Sequence, residues 1–187
     1  MTKLAFYQIS DIDQLEQPEE HTQLDLKSPA TLFFTDFQRV TPLVTEADMP
    51  AVQARELMRR THVRMKLVVN RANQVIGLIS ADDLIDRLIV KKVSEGHKRE
   101  EVTVEQLMTP RKELQALDIT AVKKASISDV IDILKDNGEQ HCLVIDREKH
   151  HIRGVFSASD ISRKLHLPID IQEKSSFYRV FASALSA

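Results

Sequence analysis

A seven-residue stretch occurs twice in this chain. GLISADD, Gly77 to Asp83, returns as GVFSASD, Gly154 to Asp160, at an offset of 77 residues in a total of 187. Each copy keeps a glycine, two apolar residues, a serine three places after the glycine and an aspartate six places after it. Repetition at this period means one supersecondary unit used twice. The fold must therefore solve how two such units bury each other's apolar faces.

The flanking sequence repeats in the same order. MPAVQARELMRR reads as a helix with Ala51, Ala54, Leu57 and Met58 on one face after Asp48 as N-cap. MKLVVN and QVIGLIS follow as short β-rich runs around the turn NRANQ, and SADDLIDRLIVKK carries a helical stripe of Ala81, Leu84, Ile85, Leu88 and Ile89. In the second half SISDVIDILKDNG puts Ile127, Val130, Ile133 and Leu134 on one face and stops at Asn137-Gly138. HCLVID and IRGVFS pair around REKHH, where the offset between the halves grows by one residue, from 76 to 77, and SASDISRKLHLP closes the unit as a helix. Ahead of each unit sits a front tripeptide, VTP at Val40 to Pro42 and MTP at Met108 to Pro110, although the second stands about eight residues farther from its helix. The expectation is an α/β protein of two β-α-β-β-α units related by a pseudo-twofold axis. Its core is expected on Leu57, Leu67, Val69, Leu84, Leu88, Val130, Leu134, Val144, Ile145 and Ile161. The expected boundaries are a polar extension over 1–30, a first unit over 31–93, a linker over 94–106, a second unit over 107–168 and a C-terminal helix over 169–187.

Composition excludes several function classes. With 42% apolar and 29% charged residues and a net charge of −2, the chain is an ordinary globular one with no field to recruit nucleic acid or an anionic membrane. The basic groups Lys91-Lys92 and His97-Lys98-Arg99 are diluted by Glu95, Glu100 and Glu101 and read as solvated linker. A lone Cys142 cannot form an internal disulfide and suits a reducing cytosol; no apolar run approaches the roughly 20 residues of a membrane span, and the start turns acidic. A cytoplasmic location is expected. His150-His151 fall in a hairpin turn, without the spacing of a metalloprotease, redox or nucleophile-elbow motif, and the four glycines are scattered. Neither catalysis nor an obligatory cofactor or metal is expected.

The doubled stretch itself has two readings. SADD and SASD have the form of a capping box, which recurs as SISD, Ser126 to Asp129, without the glycine strand. In the two glycine copies, however, the box follows a β-rich strand directly, so helix N-terminal amides open on the end of a sheet, where an anion can be held. The glycine would leave the strand surface open to a planar ring, and the aspartate could accept from both hydroxyls of a ribose. These are the requirements of a nucleoside phosphate.

Two units with front TP elements and a closing Gly-h-h-Ser-x-x-Asp (h apolar), from about Phe34 to Leu167, resemble the tandem cystathionine-β-synthase (CBS) domains that pair into a Bateman module. The resemblance implies binding of an adenosine nucleotide such as AMP, ADP or ATP in two clefts and regulation of an unidentified partner protein. It also implies that one cleft uses Thr41 with Ser157 and Asp160 and the other Thr109 with Ser80 and Asp83, with Arg64 and His141 as candidates to face phosphate. Asp82 adds negative charge beside the Ser80 cleft, and Glu139 stands where an apolar lining is usual. A homodimer is expected, because the stripes Leu84/Leu88 and Ile161/Leu165 are too apolar for solvent. The competing expectation is a ligand-free dimerisation platform of the same fold.

Overall fold

The computed structural model describes residues 24–171, together with Gln8. Most of the expected acidic extension, and the expected C-terminal helix beyond residue 171, lie outside the described residues. In chain order the elements are β1 (Thr35–Asp36), β2 (Val44–Glu46), α1 (Ala51–Arg60), β3 (Met65–Val69), β4 (Val75–Ser80) and α2 (Asp86–Ser94). They continue with β5 (Thr109–Pro110), β6 (Ala116–Asp118), α3 (Ile119–Val122), α4 (Ile127–Asn137), β7 (His141–Asp146), β8 (His151–Ser157) and α5 (Ala158–Leu165). The chain is α/β, and β-α-β-β-α occurs twice, as β2-α1-β3-β4-α2 and as β6-α3/α4-β7-β8-α5. Each hairpin carries a bulge at the same place, between Val68 and Val69 and between Val144 and Ile145. Each also turns through a residue of positive φ, Asn73 or His150.

Period-two alternation divides each sheet's residues between two cores. Val68 and Ile79 pack with Ala51, Ala54 and Met58 of α1, while Val144 and Phe156 pack with Val130 and Leu134 of α4. Their strand neighbours Leu67, Leu78, Leu143 and Val155 meet in a third cluster contributed by both sheets. Leu57 departs from expectation: it is exposed, because the buried face of α1 runs through Ala51, Ala54 and Met58. Leu88 and Ile145 are half-buried rather than central. The N-cap of α1 is Pro50, not Asp48, which instead pairs with Arg71 at 3.2 Å.

The front strands cross over. The two sheets have the orders β2-β3-β4-β5 and β1-β8-β7-β6, so the strand preceding each unit completes the sheet of the other. Pro110 lies opposite Gly77 and Asp36 opposite Gly154, which makes the two glycines equivalent. Neither glycine has a positive φ, so backbone conformation does not require them; close approach does. A Cβ on Gly77 would sit 2.7 Å from the Thr109 carbonyl oxygen, and one on Gly154 would overlap the Thr35 carbonyl and lie 2.7 Å from the Phe34 ring. The expected role, an open strand surface for a planar ligand, is thus corrected: the space is filled by backbone.

This register also corrects the first front element, which is Thr35-Asp36 rather than Thr41-Pro42. Asp36 turns the chain at once, its side chain accepting from the Gln38 N–H and its carbonyl from Arg39 and Val40. Thr41 is left exposed in the approach to β2. An ion pair from Arg153 to Asp36 and the Phe37 N–H to the Arg153 carbonyl hold β1 in place. The apparent eight-residue irregularity shrinks to two, since α1 begins sixteen residues after Thr35 and α4 eighteen after Thr109.

Both segments expected to lie outside the units are partly inside them. Val102 and Val104, in the expected linker, are fully buried in the first unit's core; Ala30, at the end of the expected extension, belongs to the second's, as does Phe33, expected in the first unit. Ser28 and Leu26 carbonyls accept from Ile127 and Ser128, satisfying amides at the start of α4. The apolar stripes expected to drive a dimer are corrected in the same way, since Leu84, Ile161 and Leu165 are consumed in the chain's own cores. The apolar side chains left outward on α1, α2 and the residue ahead of α2 are Leu57, Ile85, Val90 and Val93, exposed by 38–52%.

Gly154→Ala is expected to lower the stability of the chain by roughly 1–3 kcal/mol, the usual cost of overpacking a site that cannot relax. Urea denaturation measures it; an unchanged midpoint would show that β1 does not press on β8.

Candidate functional site

The two copies of the repeated stretch end up doing different work. Asp83 Oδ2 accepts from both the N–H and the hydroxyl of Ser80, each at 2.7 Å, and the Asp83 N–H donates to the Ser80 hydroxyl at 3.3 Å. That is the reciprocal pattern of a capping box, but α2 starts only at Asp86, with Ile85 as N-cap, so the box closes a turn ahead of the helix. In the second copy Ser157 is the N-cap of α5, its hydroxyl bonded to that of Ser159 at 2.9 Å. Asp160 pairs instead with Arg163 at 3.1 Å, one turn along the helix. A helix-starting capping box appears at Ser126/Asp129, where the serine's hydroxyl and amide hold the Asp129 carboxyl below its usual pKa.

The backbone around both copies is nevertheless matched. Ala81 N–H donates to the Arg64 carbonyl at 2.9 Å and Ala158 N–H to the Gln140 carbonyl at 3.0 Å. These bonds tie the start of β3 or β7 to the end of β4 or β8, and they make Arg64 the counterpart of Gln140. In each unit the exchanged strand sets a threonine two residues back from the serine: Thr109 opposite Leu78, Thr35 opposite Val155.

Between the units lies a cavity of about 270 Å³ lined by His62, Arg64, Gln140, His141, Ser157, Ser159 and Arg163. It draws Arg64 from the first unit together with His141 and Ser157 from the second. Thr41, Thr109, Ser80, Asp83 and Asp160 do not line it, although Asp160 is paired with the lining Arg163. Burial pushes His141 down to about 4; nearby Asp82 and Asp160 oppose that shift and Arg64 adds to it. The four side chains therefore share one electrostatic neighbourhood, with a neutral imidazole at its centre. Arg64 is paired with Asp82 at 3.4 Å. The lining offers hydroxyls, an amide, imidazoles and two guanidinium groups, which suits an anion carrying hydrogen-bonding oxygens.

Elsewhere the chemistry is quieter. A more open cleft of about 670 Å³ beside the β7–β8 turn mixes Arg111 and Arg147 with Asp118, Asp146 and Glu148. His150 sits in that turn and His151 begins β8. Among the described residues no three His, Cys, Asp or Glu side chains are grouped so as to hold a metal. Burial pushes the Cys142 thiol up to about 11, which keeps it protonated and unreactive at neutral pH. No helix among the described residues is long and apolar enough to cross a membrane.

Sequence reasoning missed Thr35, His62, Gln140, Ser159 and Arg163. The offset held the signal: Thr35 stands 74 residues before Thr109 and Thr41 only 68, against 77 for the glycines. Arg163, three residues after Asp160, carried no pattern of its own.

Residues 36–90 and 104–167 each match the family model described as CBS domain. Among curated proteins none matches the sequence. Solved structures of similar fold include an uncharacterized conserved protein from Pyrococcus horikoshii, at 21% identity and TM-score 0.57, covering 80% of this chain and all of that one. Another is CBSX2 in complex with AMP, at 19% identity and TM-score 0.52, covering 73% of this chain and 94% of that one. A third is a CBS-domain protein from Agrobacterium tumefaciens, at 17% and 0.52, covering 71% and 92%.

The environment of His141 has a consequence for stability. Unfolded, the imidazole binds a proton near 6.5; folded, near 4. Its contribution is complete above the unfolded value and is lost as pH falls from 6.5 through 4, a loss of roughly 3 kcal/mol at about 1.4 kcal/mol per unit. Urea midpoints of the wild type should therefore fall more steeply over this range than those of His141→Gln. Parallel pH profiles for the two proteins would mean that the imidazole titrates freely.

Proposed function

We propose that this chain, which belongs to the CBS-domain family and carries two such domains paired as a Bateman module, senses an adenosine nucleotide and passes its occupancy to a partner protein. The observation that carries this reading is the cavity lined from both units. A ligand seated there touches the first unit through Arg64 and the second through Ser157 and Arg163, so binding alters how firmly the two are held together. A solved relative by fold, CBSX2, is in complex with AMP. In this reading Asp160 gives its carboxylate to the ribose hydroxyls, Thr35 takes the place first expected of Thr41, and Arg64 with His141 and Ser157 faces the phosphate. Thr109, Ser80 and Asp83 stand at the symmetry-related place. The role is regulatory rather than catalytic, and it includes pairing with a second copy through the apolar residues left outward on α1 and α2.

A thermal-shift panel of AMP, ADP, ATP, S-adenosylmethionine and NAD tests it. A nucleotide at about 100 times its Kd should stabilise the fold by about 2.7 kcal/mol per site. In Asp160→Asn that gain should largely vanish while the ligand-free Tm hardly moves, because the Asp160–Arg163 pair is a surface pair worth little to stability. Equal ligand-induced shifts in both proteins would remove Asp160 from the ribose. No shift in either favours the ligand-free platform.

A further inference from the structure

The two units repeat one backbone but not one surface charge. The 76-residue offset that matches the two hairpin bulges also matches Leu57 of α1 with Ile133 of α4. Both side chains are left outward, exposed by 39% and 38%. On the helix surface Leu57 has Gln53 and Arg60 as neighbours, four residues before it and three after, and Ile133 has Asp129 and Asp136 at the same places. One apolar side chain is thus set beside a guanidinium and the other between two carboxylates.

The rest of each helical surface follows the same division. In the first unit Arg59 and Arg60 share the one carboxylate of Glu56, at 2.9 and 2.6 Å, and Arg55 and Arg99 share that of Asp86, so both clusters keep an excess of positive charge. Arg87 and Lys91, both exposed, flank the outward Val90 of α2. On α4 the exposed Asp132 adds to Asp129 and Asp136, against Lys135 as the one basic residue of that helix. The two cations of α5 are engaged locally, Arg163 with Asp160 and Lys164 with the Leu32 carbonyl at 2.7 Å. Leu26, whose carbonyl accepts from Ser128 at the start of α4, adds a second exposed apolar side chain to the acidic surface.

We infer that two copies of this chain pair head to tail, with the basic outward surface of α1 and α2 in each copy seated on the acidic outward surface of α4 in the other. The inference rests on the reading that the module pairs with a second copy, and it fixes which surfaces meet. Pairing like unit on like unit would set Asp129, Asp132 and Asp136 against the same carboxylates of the second copy and the arginine clusters against their own image, which costs free energy on both sides. Head to tail, each charged surface meets its opposite and Leu57 meets an isoleucine of matching exposure. A twofold operator makes the two contacts identical, so the assembly closes at two chains.

Sedimentation equilibrium of the full chain tests the inference, on the wild type, Asp132→Lys/Asp136→Lys, Arg60→Glu/Arg87→Glu and the chain carrying all four substitutions. Each double variant should raise the dimer Kd about tenfold or more, and the fourfold variant should return to near the wild type, because the exchanged charges remain complementary head to tail. Raising salt from about 0.05 M to about 0.5 M should weaken the wild-type dimer, whereas pairing of like units would tighten as its repulsion is screened. Oxidative cross-linking reads the orientation directly and decides alone should a charge variant fail to fold. Leu57→Cys and Ile133→Cys proteins should each remain single chains when oxidised separately and join when mixed, the buried Cys142 thiol contributing no background. Cross-linking within either protein alone, unchanged Kd in the double variants, or no recovery in the fourfold variant would overturn head-to-tail pairing while leaving pairing itself intact. A wild type that sediments only as a monomer would defeat both. Neither outcome touches the nucleotide-induced shifts in Tm, which test the ligand reading separately.

Discussion

The structure depends on two backbone crossings at glycine. Where β5 passes Gly77 and β1 passes Gly154, carbonyl oxygens of the exchanged strands occupy the volume that any Cβ would need. Each sheet thereby gains its fourth strand from the segment that leads into the other unit. Backbone hydrogen bonds, which are short and directional, fix the relative position of the units more sharply than apolar contact alone can do. The shared cluster of Leu67, Leu143 and Val155 then fills the space between two sheets already held in register.

The crossings also give the chain an uneven topology. The sheet β2-β3-β4-β5 is drawn from residues 44–110, a continuous stretch, and its core takes in Val102 and Val104 from the segment between α2 and β5. The other sheet needs β1 from before that stretch and β6, β7 and β8 from after it, with Ala30 and Phe33 completing its core. One unit is therefore inserted in the other, rather than joined to it by a free tether. Segments that look polar and loop-like in composition become structural because their few apolar residues are the ones that close a core.

A pseudo-twofold axis brings equivalent backbones together but leaves side chains free to differ, and here they differ in charge. Arg64 stands where the other unit has Gln140, and past the matched bonds of Ala81 and Ala158 the backbones part, the first running through a turn to α2 at Asp86 and the second entering α5 at once. The doubled aspartates differ too, with Asp83 closing a turn on Ser80 and Asp160 paired with Arg163. Burial of His141 as a neutral ring keeps the centre of this region from carrying a further charge at neutral pH.

The sequence by itself determined the unit, its repetition and its secondary structure. Apolar alternation set which face of each strand turns to a helix, and Asn137-Gly138 ended α4 where local chemistry said it must. These follow from interactions a few residues apart, which a linear pattern records. The expected glycine function, the place of Thr41 and the core role of Leu57 failed for one reason: each depended on what lies opposite, not alongside. Strand exchange put a carbonyl over the glycines, Asp36 turned the chain before Thr41 could pair, and the core of α1 needed only Ala51, Ala54 and Met58. That Arg64 and Arg163, 99 residues apart in sequence, face one cavity was likewise decided by the tertiary structure alone, because no local spacing encodes which residues an axis between two units will bring together.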